Sequence, residues 1–88
     1  MRYSLSKELI SELKKIKRKQ PQLLREIRKQ LKIFEENPRH TSLKTHKLKG
    51  NLRSTWSIFI EENKRMLYFV EDEEAVFFSI GNHDEVYR

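Results

Sequence analysis

Eighty-eight residues with 36% hydrophobic and 36% charged content are enough for one small domain over residues 1–88 and too few for two separately packed cores. No cysteine is present, which excludes disulfides and thiolate chemistry and agrees with a reducing cytoplasm. No run approaches the ~20 apolar residues of a membrane span, and the start Met1-Arg2-Tyr3-Ser4-Leu5-Ser6-Lys7 has no signal-peptide core, so a soluble cytoplasmic protein without a membrane partner is expected.

The net charge of +6 is unevenly placed. Residues 1–50 hold 15 Lys+Arg against 5 Asp+Glu, and residues 51–88 hold 4 against 8, so a balance of +10 precedes one of −4. The basic half suits a polyanion or an acidic protein, although each lysine taken singly also suits a solvated helix face.

A first strand is predicted at residues 2–5. Ser6 then caps a helix with Glu8 in its first turn, running to about Lys19 with Leu9, Ile10, Leu13 and Ile16 on one stripe. Gln20-Pro21 ends that helix and starts a second, over residues 21–36, with Leu24, Ile27, Leu31 and Phe34 as the matching stripe of a helix hairpin. Asn37-Pro38 closes it. Residues 39–51 carry no period and read as a basic loop. Trp56, Ile58 and Ile60 then alternate with Thr55, Ser57 and Phe59; residues 61–64 make a turn, 65–70 a strand, 71–74 an acidic turn and 75–80 the last strand, which breaks at Gly81-Asn82 just before His83. The order is β-α-α-β-β-β, an α+β fold with the N-terminal helix hairpin packed on a small, twisted, mainly antiparallel sheet.

A histidine beyond the end of a rigid strand is placed to move protons near neutral pH. The solvated-surface explanation competes with this for His83 and His46. Arg65 could instead pair with Glu61 or Glu62, and Tyr87 could simply pack the chain end. His40 reads as a loop residue. A zinc site built from His40, His46 and His83 is disfavoured, because no close-spaced ligand pair exists, and neither a metal nor another cofactor is expected.

The segments His46-Lys47-Leu48-Lys49-Gly50, Trp56, Lys64-Arg65-Met66-Leu67-Tyr68 and Ile80-Gly81-Asn82-His83-Asp84-Glu85-Val86-Tyr87 resemble the RelE/ParE superfamily of bacterial and archaeal toxins over nearly the whole chain. The Gly-X-His-X-X-Val-Tyr ending together with His46 looks closest to its YafQ-like nuclease branch. The resemblance implies a type II toxin that cuts mRNA on the ribosome without a metal and is neutralised by a cognate antitoxin. It implies His83 as general acid, Arg65 on the phosphate, Tyr87 supporting the RNA and His46 assisting. Lys44, Lys47, Lys49 and Arg53 would contact RNA phosphates. Ser57 and Phe59 stand where the RelE branch has lysines, and residues 58–60 and 63–64 lack the further histidine and acid of the YafQ-like branch. A gyrase-inhibiting toxin of the sister branch and a catalytically silent RNA- or antitoxin-binding relative are the alternative readings.

Overall fold

The computed structural model describes residues 1–50 and 53–83. Strand β1 (Tyr3–Leu5) leads into helices α1 (Lys7–Lys19) and α2 (Pro21–Glu36). A 3-10 turn (Thr41–Leu43) follows, then β2 (His46–Lys47), β3 (Trp56–Glu61), β4 (Lys64–Glu71) and β5 (Glu74–Asn82). The strands lie in the order β1-β5-β4-β3-β2, β1 parallel to β5 and the other pairs antiparallel. Residues 39–51, read from sequence as a loop, therefore contain a 3-10 turn and a two-residue edge strand too short to show a period.

The helix boundaries follow from local chemistry. The Ser6 hydroxyl accepts from the Leu9 N–H at 3.1 Å, while Lys17, Arg18 and Lys19 in the last turn of α1 face its negative dipole end. Gln20 N–H donates back to the Ile16 carbonyl at 2.7 Å, and Pro21 then fixes the first turn of α2. Both helices pack on one face of the sheet.

Phe34 and Phe77 are fully buried there, with ring centroids 5.1 Å apart in edge-on contact, and Phe34 meets Tyr68 in the same way. Each such pair contributes about 0.5–1.5 kcal/mol beyond its buried area. Two positions depart from the expected stripes. Ile10 is 42% exposed, because α1 has sheet beneath only one flank. In α2, Leu23 is buried and Leu24 only packs against the edge of the core.

Gln30 is the buried polar residue of α2. Its Nε2 donates to the Phe59 carbonyl at 2.8 Å and the Ser42 carbonyl at 3.2 Å. It thereby ties the helix layer to β3 and to the 3-10 turn.

Candidate functional site

β5 does not break at Gly81-Asn82. Both residues remain in the ladder, Gly81 opposite Arg65 and Asn82 opposite Lys64, because β4 extends far enough to keep them paired. Gly81 is extended backbone, and the positive-φ glycine among the described residues is Gly50 at 80°. The ladder goes one step further, since His83 N–H donates to the Asn63 carbonyl at 3.0 Å. His83 is thus anchored by its backbone to the β3–β4 turn, and it is exposed.

Which face the last residues of β5 occupy depends on one residue. Leu67 pairs with Ser79 and the next residue of β4, Tyr68, pairs with Phe77, so Phe78 is an extra residue in β5, a β-bulge. Ahead of it, Ala75 and Phe77 point into the core. Beyond it, Ile80 lies opposite the buried Met66, whereas Ser79 and Gly81 lie opposite Leu67 and Arg65 on the face away from the helices. His83 follows directly on the end of β5 at Asn82, next to the β3–β4 turn that its N–H binds.

Arg65 is set on this face by three carbonyls. Its Nη1 donates to Glu61 O at 2.9 Å, Lys64 O at 3.0 Å and Glu62 O at 3.3 Å, and its guanidinium carbon lies 4.8 Å from the Phe59 ring centroid. Among the described residues it forms no ion pair with the Glu61 or Glu62 carboxylate, so the contact with these two acids is through their backbones. The cross-strand neighbour of Arg65, Gly81, carries no side chain.

His46 pairs with Ser57, which pairs with Leu67, which pairs with Ser79. His46 therefore shares the face of Arg65 but not its neighbourhood. Three strand spacings, about 14 Å, separate it from β5, and four residues, about 13 Å along the strand, separate its level from that of His83. Tyr87 lies outside the described residues.

The four basic residues expected to meet RNA are dispersed. Lys44 Nζ sits 4.6 Å from the Phe59 centroid, next to Arg65. Arg53 lies 3.9 Å from the Phe69 centroid and donates to Glu71 Oε2 at 2.8 Å. Lys47 is paired with Trp56, on the helix side, with Nζ 5.7 Å from its ring. Lys49 is exposed in the segment after β2.

Sequence reasoning read His40 as a loop residue and gave the phenylalanines of this face no role. His40 Nδ1 accepts from the Ser42 N–H at 3.1 Å and so caps the 3-10 turn. Phe59, Phe69 and Phe78 belong neither to the core nor to the residues packed on it; odd-even counting along β3 and β4 separates the first two, and the bulge sets Phe78 apart. No group of three or more His, Asp or Glu side chains among the described residues is arranged to hold a metal ion, and no described helix is long and apolar enough to cross a membrane.

Known proteins share this architecture. The YoeB/ParE toxin from Agrobacterium tumefaciens superposes with a TM-score of 0.78 at 18% identity, covering 94% of this chain and 99% of that one. YoeB in the YoeB–YefM complex from Staphylococcus aureus gives 0.74 at 24% identity, with 94% and 99% covered. YafQ from Escherichia coli gives 0.74 at 14% identity, with both chains covered completely. No curated protein is similar enough in sequence to match. These structures share the fold that the sequence led us to expect, and the model of the YoeB-like toxins of bacterial type II toxin–antitoxin systems matches residues 5–84. Fold and sequence thus agree over nearly the whole chain, which belongs to the YoeB-like toxin family within the RelE/ParE superfamily.

Proposed function

We propose that this toxin is a ribosome-dependent mRNA endonuclease that cleaves by metal-independent acid–base chemistry. The observation that supports the reading is the pairing of Arg65 with Gly81, two residues before an exposed histidine whose N–H binds the Asn63 carbonyl of the turn leading into the strand of Arg65. RNA brings its own nucleophile. The 2′-oxygen attacks phosphorus as it loses its proton, the bond to the 5′-oxygen breaks, and the leaving oxygen needs a proton. His83 would supply that proton, an assistance worth about 10²–10⁴ in rate. Arg65, its Nη1 already engaged by backbone, would turn its remaining donors to the phosphate oxygens and offset the charge that builds on them.

His46 is the candidate acceptor of the 2′-hydroxyl proton. Its offset from His83 makes it the lesser contributor, and Tyr87 would support the substrate from the chain end. Lys44, with Lys49, would add to the positive field that holds the RNA backbone, a contact that weakens as salt rises. The ribosome would supply the orientation of the strand. A cognate antitoxin is the expected inhibitor in the cytoplasm. The YoeB of S. aureus is held in a complex with YefM, and a +10 balance over residues 1–50 of this chain suits an antitoxin with an acidic segment.

The test is inducible expression followed by mapping of the 5′ ends of cellular mRNA. Cuts should appear in phase with codons and disappear with His83→Ala, while His46→Ala should lower their frequency less. Growth arrest without new mRNA ends, accompanied by a DNA-damage response, would overturn the nuclease assignment in favour of gyrase inhibition.

A further inference from the structure

We propose that Arg53, Phe69 and Phe78 form a stacking platform for a nucleobase of the single-stranded RNA. This rests on the nuclease reading and extends the site along β4. Phe69 and Phe78 are in contact, with ring centroids 5.6 Å apart and planes tilted by 36°. The Arg53 guanidinium covers Phe69 at 3.9 Å from its centroid. Glu71, two residues beyond Phe69 and therefore on the same face, holds that guanidinium through the 2.8 Å bond to Nη2. The side chains of Arg53 and Glu71 are each 55% exposed, so the outer surface of the stack is open to a ligand.

The platform sits four residues from Arg65 on the same strand, about 13 Å away, on the face opposite the helices. Its phenylalanines contribute nothing to the core. Phe78, the extra residue of the bulge, sets the second ring against the first.

RNA fits this surface better than an apolar protein face does. Each phenylalanine of the site face with a charged neighbour carries a cation: Lys44 and Arg65 lie over Phe59, and Arg53 over Phe69. Interleaved cations and rings are what single-strand binders use to follow the backbone and stack the bases, and guanidinium planes serve as stacking surfaces in their own right. A greasy partner would have to displace those cations. Glu71 neutralises Arg53, so the platform recognises the flat base rather than the phosphate.

The experiment measures binding of fluorescein-labelled 2′-O-methyl oligoadenylate, which lacks the attacking hydroxyl, to the purified toxin by anisotropy at several salt concentrations. Phe69→Leu and Phe78→Leu should each weaken binding by about tenfold. Arg53→Lys keeps the charge and loses the plane. It should weaken binding several-fold with the salt slope unchanged, whereas Arg53 acting only on phosphate would make that change silent. An abasic strand of the same length should bind all the variants alike. Circular dichroism and urea melts check that the variants stay folded.

Equal oligoadenylate affinity in folded variants, or no binding by the unaltered protein at low salt, overturns the proposal. So does an unchanged RNA affinity accompanied by loss of self-association or of antitoxin binding, which would make this a protein-docking face. The two readings fail differently. Loss of the nuclease reading leaves the unaltered protein without cleavage, and loss of the platform leaves cleavage present with the variant affinities equal.

Discussion

Replacing Gln30 by methionine keeps the length of the side chain and removes both of its donors, and the structure sets what that costs. Gln30 is 4% exposed, and its amide nitrogen serves two carbonyls, of Phe59 in β3 and of Ser42 in the 3-10 turn. Two hydrogen bonds at a net 0.5–1.5 kcal/mol each give about 2 kcal/mol, and more if either carbonyl is left without water. Methionine recovers a little by burying apolar surface. Against a total stability of about 5–15 kcal/mol the loss is large. With a urea m-value of about 1 kcal/mol/M for so small a chain, the denaturation midpoint should fall by roughly 2 M. The assay is equilibrium urea unfolding followed by circular dichroism. A midpoint within about 0.5 M of the unaltered protein, at equal m, would show that Gln30 is not the tie between the helix layer and the strand carrying Phe59.

Two further outcomes follow from backbone and ionisation. The β4–β5 turn places Asp72 at φ 52° and Glu73 at φ 63°, left-handed angles that Asn-Gly adopts at lower cost, so the Asp72→Asn, Glu73→Gly double variant should be about 1 kcal/mol more stable and melt several degrees higher, as read by thermal denaturation. Burial pushes the Tyr68 phenol above its ordinary value of 10.0, and burial followed by the Glu35 carboxylate does the same for Tyr3. The folded state therefore keeps those protons longer than the unfolded chain, and their contribution is intact at neutral pH. Stability should fall as pH rises above about 10, by at most about 1.4 kcal/mol per pH unit for Tyr68, and Tyr68→Phe should flatten that fall in urea melts across the alkaline range.

The helices were legible because Ser6, Pro21 and Asn37-Pro38 mark their ends by side-chain chemistry that acts locally. What escaped sequence reasoning is set by distant partners. Gly81-Asn82 has the composition of a turn, yet Arg65 and Lys64 across the ladder hold it extended. β2 is two residues long and exists only through its pairing with Ser57 and Trp56. Gln30 was invisible to apolar counting because it is a polar residue inside the buried face. Ile10 was overcounted, since a stripe records which residues are apolar and not how far the neighbouring layer reaches. At the site, residue types could be named from the resemblance, but strand spacing puts His46 well away from His83, and no local pattern carries that distance.

The bulge at Phe78 decides which residues of β5 share the face of Arg65. In an unbroken strand the inward parity of Ala75 and Phe77 would extend to residues 79 and 81, turning Ser79 towards the side the helices cover. The extra residue reverses the parity, so that Ile80 faces Met66 in the core and the odd positions face away. Its sequence trace is the Phe77-Phe78 doublet, where two large apolar residues adjoin and one must leave the core. Arg65, by contrast, sits on β4, which runs from Lys64 to Glu71 without an inserted residue against β5. The face of Arg65 is therefore fixed by simple alternation, and Ser79 and Gly81 are brought to that side of the sheet by the irregularity. A strand of this kind without the bulge would turn Ser79 and Gly81 to the helix side, so register has to be settled before the corresponding strands of related toxins are compared.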